Sequence, residues 1–275
     1  MTIKSILVHI ADDEDHLPRF KAAVGLARAF NAHLTALYVT SPVHFKGRMA
    51  GRGASINFER ERIEFAEKKV RQIEAEFREY LSDSSIDLEW VTVDGGHLDR
   101  LTYYSAFNDL AIVSQTEAVN LEEVLAHKLP DQLALTAACP VLVLPHQWEE
   151  GGLPDTVVVG WKPSAPANHA LRGAMPFLQQ AKHVKVVTIS AKGKDDPHDR
   201  SVILHLRRHG VEAELVHLTG SDSKAGHELM DQAQACNAGL VVMGGFSHSR
   251  LHDLVIGSAT SQVLNNGKIP LLMAH

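Results

Sequence analysis

Two glycine-containing turns near the end of the chain have the residue types that hold a phosphate group. Gly244 and Gly245 follow an apolar run, and a later turn contains Gly257 and Ser258. Glycine at a strand end lets a ligand approach the main chain closely. Free backbone N–H groups and the helix dipole at the start of a helix favour an anion. We therefore expect a phosphate to lie between these two turns.

Neighbouring residues extend this candidate site. Ser247 and His248 belong to the first turn, where His248 would place a hydrogen-bond donor near the phosphate. Ser258 either donates its hydroxyl or caps the helix that continues through Ala259. From spacing alone, a purely structural interpretation stays open, in which the glycines form a tight turn and the serine is only a cap.

Other reactive patterns in the sequence are weaker. His205 and His209, like His248 and His252, are four residues apart, a spacing at which two imidazoles can share a metal ion. Neither pair has an evident third ligand, so we interpret these histidines as surface residues. The chain has 17 histidines, and the sequence does not explain why it has so many.

No motif for covalent or metal-assisted catalysis is evident. The sequence has no GxSxG turn and no Walker A loop. Cys139 and Cys236 are interpreted as small core residues, and the basic stretch at 46–52 as a solvated surface segment. We therefore assign no catalytic residue and no metal ligand.

The candidate turns need a framework of alternating strands and helices. Short, nearly continuous apolar runs alternate with amphipathic segments along the whole chain, which is typical of a parallel sheet covered on both faces. The predicted strands are 4–10, 33–39, 87–93, 109–114, 140–144, 155–161, 183–189, 211–217, 239–243 and 270–273. The predicted helices are 16–30, 57–81, 98–107, 120–137, 167–181, 197–209, 223–236 and 258–266.

The chain also repeats itself. Its first strand and helix match residues 151 positions later, and its last two strands match residues 130 positions later. The difference places 21 extra residues in the first half, around 42–62. We predict two related α/β domains at 1–147 and 155–275, each a Rossmann-like five-stranded parallel sheet whose ligand crevice lies beyond the carboxyl ends of the strands.

Composition narrows the class of protein further. The 275 residues carry a formal charge of −6, which argues against a generally basic nucleic-acid binder. No apolar stretch approaches the length of a membrane helix, and the first residues lack the apolar core of a signal peptide. The expectation is a cytoplasmic protein that binds neither nucleic acid nor membrane.

The later glycine turns and the duplicated pattern resemble those of a known family. Gly244, Gly257 and Ser258 resemble the nucleotide-binding signature of universal stress proteins, with Ser247 in place of a middle glycine. The duplicated pattern resembles the tandem type, in which two such domains share one chain. The resemblance implies a fold like that of the adenine nucleotide alpha hydrolases and a role in stress survival without a defined reaction. It also implies ATP or AMP as ligand, with Mg²⁺ only alongside ATP.

The two predicted domains differ at the positions that this resemblance makes important. In the second domain, Lys162 stands where the family usually has an acidic or amide residue, and we place adenine and ribose between 160–164 and Ser190. The first domain has lost the signature. The residues aligned with it are Ser114, Glu117, His127 and Lys128.

These observations predict nucleotide binding in the second domain and none of the family type in the first. They also predict pairing of the two domains within the chain and leave a homodimer open. Two alternatives stay open: a weak ATP hydrolase, and a scaffold that binds no nucleotide and serves as a docking surface.

Overall fold

The computed structural model of the protein describes residues 2–40, 52–82, 85–115, 129–148, 152–191, 199–221, 224–245, 263 and 267–275. We call 1–147 the first half and 155–275 the second half. The elements of the first half are β1 (Ser5–Ile10), α1 (His16–Phe30), β2 (His33–Thr40), α2 (Arg52–Tyr80), β3 (Leu88–Asp94), α3 (His97–Ser105), β4 (Leu110–Ser114), α4 (Leu129–Thr136) and β5 (Val141–Leu144).

The second half repeats this order. Its elements are β6 (Thr156–Gly160), α5 (Ala165–Leu178), β7 (His183–Ser190), α6 (Asp199–Arg208), β8 (Glu214–Thr219), α7 (Ala225–Ala235), β9 (Leu240–Gly244) and β10 (Leu271–Ala274). The predicted strands are all found, but α2 begins five residues before its predicted start, and β8 begins and ends later than predicted. The predicted helix at 258–266 falls outside the described residues, apart from Val263.

The strands of both halves form one sheet. Its order is β3-β2-β1-β4-β5-β10-β9-β6-β7-β8, so each half contributes five neighbouring strands in the same relative order. Within each half every described pair is parallel. This confirms the predicted α/β fold with Rossmann-like halves, in which the carboxyl ends of the strands in one half lie at one edge.

An antiparallel strand pair joins the two halves. The last strand of each half, β5 and β10, lie side by side, with Leu142 opposite Leu272 and Val143 opposite Leu271. Because both strands would otherwise leave unpaired backbone groups at a sheet edge, each half covers the edge of the other. The halves therefore pair inside the chain, as the sequence predicts.

Helices cover the sheet because the strands are apolar on both faces. In the first half, Phe20 of α1 stacks on Phe77 of α2 with ring centroids 3.8 Å apart, and neither ring is exposed. Phe77 also contacts the edge of Trp90 on β3. This aromatic cluster fixes α1, whose N-terminal end borders the crevice of the first half. Among the described helices, none is long and apolar enough to cross a membrane.

Replacing Phe20 with alanine tests this packing. We expect Phe20→Ala to lower the free energy of unfolding by about 3–5 kcal/mol, because it removes a buried ring and leaves a cavity beside Phe77. Tyr103→Ala is the control, since Tyr103 is 60% exposed and its removal should cost less than about 0.5 kcal/mol. Urea unfolding followed by circular dichroism measures both; equal losses would contradict the packing described.

Candidate functional site

The carboxyl ends of three neighbouring strands form the predicted crevice of the second half. In the sheet, β6 lies between β9 and β7, which brings Gly160, Ser190 and Gly244 to one edge. Lys162 follows β6 at the same edge and is exposed, as is Ser190. The rest of the predicted phosphate site falls outside the described residues: Ser247, His248, Gly257, Ser258 and Ala259.

Gly244 has a packing role that the sequence does not reveal. A Cβ atom at this position would lie 2.4 Å from the backbone nitrogen of Ala167 and 2.6 Å from the carbonyl carbon of Pro166. Both neighbours are main-chain atoms at the N-terminal end of α5 and cannot rotate away. The absence of a side chain at Gly244 therefore allows α5 to approach the end of β9.

The amide of Gly245 is already engaged. Its N–H donates to the carbonyl oxygen of Ala274 at 2.9 Å, while its own carbonyl lies 3.4 Å from Nδ1 of His275. A Cβ at Gly245 would meet its nearest atoms at 3.6 Å, which is ordinary contact. Of the two predicted glycines, Gly244 alone is required by the packing of the described residues.

The turn between β6 and α5 is held by a helix cap. The Ser164 hydroxyl oxygen accepts from the backbone N–H of Ala167 at 3.3 Å, which satisfies one of the free amides of the first turn. Trp161, at the end of β6, is bound to the sheet through its backbone N–H and the carbonyl of Val187 at 2.8 Å. This segment, where we predicted adenine contacts, is therefore rigidly positioned.

Two polar groups beside this edge were not singled out from the sequence. Nε1 of Trp161 and Oε2 of Glu228 are buried and have no hydrogen-bond partner among the described residues. Glu228 lies in the first turn of α7, and a Cβ at Gly220 would be 1.7 Å from its Oε2. The signal available in the sequence was Gly220 itself, which directly follows β8 and leaves room for the carboxylate.

The equivalent crevice of the first half is filled by charged and imidazole side chains. His9, Asp13 and Arg19 occupy the positions that Gly160, Ser164 and Ala170 occupy in the second half, 151 residues later. Arg19 is 2% exposed, its Nε donates to the His9 carbonyl at 2.6 Å and its Nη2 to Asp13 Oδ2 at 2.8 Å. In the second half the Leu229 side chain approaches Gly160 instead, since a Cβ there would lie 2.7 Å from its Cδ2.

The acidic residues after β1 are therefore engaged. Asp13 is the ion-pair partner of the buried Arg19, and Asp12 lies 3.1 Å from Nζ of Lys69. From the aligned signature, Ser114 is buried at the end of β4, while Glu117, His127 and Lys128 fall in the segment that the structure does not describe. Asp12 and Asp13 are thus each paired with a basic side chain of the first half.

Two imidazoles complete this cluster. Nε2 of His9 and Nδ1 of His97, at the start of α3, are 2.8 Å apart, and their rings meet edge to face. Burial, the Arg19 charge and His97 together hold the pKa of His9 well below its usual value. Burial likewise lowers the pKa of His97, with Asp13 opposing the shift and Arg19 adding to it. Both rings are consequently neutral at pH 7, and one donates to the other.

The remaining histidine and cysteine predictions have mixed outcomes. The rings of His205 and His209 are 4.7 Å apart, and burial, His209 and nearby arginines lower the pKa of His205. His252 is not among the described residues, which hold no cluster of three metal-binding side chains. Cys139 is a core residue, as expected, and burial raises the pKa of its thiol to about 12. Cys236 is only half-buried.

Acid should weaken the first half through His9 and His97. Below about pH 6.5 the unfolded chain binds protons that these buried rings resist, so the stability they contribute above that pH is lost as the pH falls. We expect the free energy of unfolding to drop from pH 7 to pH 5, and His9→Gln to flatten that dependence. Exposed His227→Gln is the control; an unchanged pH slope in His9→Gln would contradict this role of the imidazole pair.

The two glycines at the end of β9 should respond differently to an added methyl group. Gly244→Ala should lower the free energy of unfolding by about 1–3 kcal/mol, because its Cβ would overlap the main chain of α5. Gly245→Ala should change it by less than about 1 kcal/mol. Thermal and urea unfolding measure both, and equal effects would show that the contact with α5 does not constrain Gly244.

Comparison with known proteins agrees with this architecture. The structure of a universal stress protein from Archaeoglobus fulgidus DSM 4304 superposes with a TM-score of 0.78 at 14% identity, over 98% of this chain and 97% of that chain. A functionally unknown protein from Pseudomonas aeruginosa PAO1 gives a TM-score of 0.60 at 15% identity, over 98% and 92%. These likenesses show a shared fold over both halves. No curated protein matches the chain in sequence.

The sequence of the second half carries the family assignment. The model of the universal stress protein family matches residues 154–275. This range contains β6 to β10 and the predicted phosphate turns, and the first half repeats its topology. Residues 154–275 therefore form a universal stress protein domain, and the first half shares its strand order.

Proposed function

We propose that the second half of this stress-response protein binds an adenine nucleotide, and that the bound nucleotide, rather than a chemical reaction, controls its activity in the cytoplasm. The site lies at the carboxyl ends of β6, β7 and β9. Adenine and ribose lie toward Trp161, Lys162 and Ser190. The phosphates lie toward Gly244 and the two turns that contain Ser247 and Gly257.

The observation that carries this proposal is that two buried polar atoms of the second half have no hydrogen-bond partner among the described residues. A buried donor or acceptor that makes no hydrogen bond costs about 1–3 kcal/mol, so such atoms are rare unless something binds them. Trp161 Nε1 is a donor and Glu228 Oε2 is an acceptor, and both flank the same edge of the sheet. A nucleotide offers complementary groups, since its ring nitrogens accept and its ribose hydroxyls donate.

The placement of Glu228 supports a ribose contact. Its carboxylate lies against Gly220, whose backbone N–H donates to the carbonyl of Ser190 at 3.1 Å. The carboxylate is therefore next to the ends of β7 and β8. In dinucleotide-binding α/β folds, an acidic residue in a comparable place accepts hydrogen bonds from the ribose.

The phosphate end is supported by the sequence of the turns. Ser247 and His248 provide side-chain donors, and Gly257, Ser258 and Ala259 provide the start of a helix. The Gly245 amide is bound to Ala274, so we assign the phosphate contacts mainly to the later residues. Mg²⁺ accompanies the nucleotide when this is ATP.

The contrast with the first half supports a single nucleotide site. There His9 and Arg19 replace Gly160 and Ala170, and Asp13 is bound to Arg19. The first half consequently serves as a structural partner of the second, with its own side chains filling the crevice.

Titration of the protein with ATP and AMP, each with and without Mg²⁺, tests the proposal by calorimetry. We expect one nucleotide per chain, and nucleotide in the supernatant after mild heating of the purified protein. Glu228→Gln should weaken binding about tenfold or more, because it replaces a charged hydrogen-bond acceptor. Gly257→Glu should abolish binding by placing a carboxylate beside the phosphates. Glu79→Gln, an exposed change on α2, is the matched control.

The alternatives give different results in the same experiments. Absence of binding at millimolar ATP and AMP would reject the proposal and favour a scaffold without nucleotide. Steady release of phosphate, abolished by Ser258→Ala, would favour an ATP hydrolase. Binding that survives Gly257→Glu would show that the phosphates lie elsewhere.

A further inference from the structure

A cleft with a volume of about 550 Å³ lies at the junction of the two halves, on the face of α5 that looks toward β5. Its first-half wall is formed by the segments that enter β1, β4 and β5, and its second-half wall by α5 and the end of β10, where Ala274 accepts from the Gly245 N–H. The cleft is lined, among others, by Asp109, Ala138 and Pro140 from the first half and by His169, Arg172 and His275 from the second.

Close packing between the halves forms this cleft. A Cβ at Gly173 of α5 would lie 2.2 Å from Cγ of Pro140, so glycine lets the helix approach the first half. The opposite wall is fixed by Asp109, whose Oδ2 accepts the backbone N–H groups of Lys4 at 2.8 Å and Ser5 at 3.0 Å. The volume falls within the range of small-molecule sites, about 300–1,000 Å³.

The repeat of the fold produces an equivalent cleft on the same face of the sheet, at the opposite end of the β5–β10 pair. There Pro270 takes the place of Pro140, Ala22 that of Gly173 and Pro154 that of Ile3. This second cleft has a volume of only about 90 Å³, because Trp148 and Leu153, from the segment that joins the halves, lie in it and pack against the apolar core. In the open cleft Thr2 stands at the position of Leu153, and no described residue takes the place of Trp148.

The side chains in the cleft beside Pro270 indicate which kind of group fits the open cleft beside Pro140. An indole and a leucine side chain fill the space between the helix and the proline, so the equivalent space beside Pro140 suits a large apolar group. Apolar residues also line the open cleft, including Ile3, Pro176 and Ala274. The apolar body of a ligand would therefore be buried there.

The open cleft adds charges that the occupied cleft lacks. Asp109 stands on one wall where the other cleft has Gly239, and Arg172 stands on the other wall. Arg172 is exposed, and its charge also lowers the pKa of His205 on α6. His169, beside Arg172, donates from Nδ1 to the carbonyl oxygen of His275 at 2.9 Å. A carboxylate and a guanidinium thus both border this largely apolar space.

From this arrangement we propose that the open cleft binds a free α-amino acid with a large apolar side chain. The ligand carboxylate pairs with Arg172, which suits bidentate recognition of a carboxylate. Its ammonium group approaches Asp109, and its side chain lies along Pro140 as Trp148 and Leu153 do in the equivalent cleft. Binding in this cleft does not require a nucleotide at the ends of β6, β7 and β9.

Calorimetric titration of the full chain with L-tryptophan and L-leucine tests this site. We expect saturable one-to-one binding to the unmodified protein. Indole-3-propionate, which lacks the ammonium group, and tryptamine, which lacks the carboxylate, should each bind about tenfold more weakly or worse than L-tryptophan, because each loses one charge-assisted contact. Equal binding of all three compounds would overturn the proposal.

Variants separate the cleft from other surfaces. Arg172→Gln should weaken L-tryptophan binding about tenfold or more. Ala138→Phe should abolish binding, because Ala138 is exposed to the cleft and a phenyl ring there would fill it. Arg71→Gln, on an arginine that is 68% exposed on α2, should bind as the unmodified protein does. Circular dichroism confirms folding of each variant. Binding that is absent in the unmodified chain, or unchanged in Arg172→Gln, would contradict the site.

Discussion

The antiparallel pair of β5 and β10 is the contact on which the rest of the structure depends. Each half, taken alone, would end in a strand with unpaired N–H and C=O groups, and the pairing covers both edges at once. Because the two last strands run in opposite directions, the halves are related by an approximate two-fold axis between them. This relation brings α5 against Pro140 and Ala22 of α1 against the cavity beside Pro270, and so creates the two equivalent clefts.

One backbone framework carries two different sets of side chains. Near the end of the first strand, the first half has His9 where the second half has Gly160. His9 contacts His97 of α3, whereas Gly160 lies beside Leu229 of α7. In the first half Arg19 pairs with Asp13 and the His9 carbonyl, although Gln115 Nε2, just after β4, is buried without a partner among the described residues. The second half leaves buried polar atoms without described partners at the same edge. The fold therefore brings the same strand ends together in both halves, and the side chains that meet there differ.

The sequence predicts the framework well because its signal is local. Uninterrupted apolar runs such as 110–113 are short and bounded by polar residues, which is typical of strands buried on both faces. The candidate site was harder to predict, because its determinants are far apart in the chain. His9 and His97 are separated by 88 residues, and nothing in either neighbourhood indicates that the rings touch. Similarly, the orphaned oxygen of Glu228 is a property of how α7 packs against Gly220, not of the residue type.

Glycine at a strand end illustrates why residue type alone leaves function open. Gly244 fits a phosphate-binding signature, yet its lack of a Cβ is already required by the approach of α5. The two explanations are compatible, since the contact fixes the N-terminus of α5, where the Ala167 N–H is capped by Ser164, beside the end of β9. The opposite face of that helix carries Arg172 and Gly173, which border the junction cleft. Any displacement of α5 therefore changes both the packing at Gly244 and the width of the cleft, so the two regions share one rigid element.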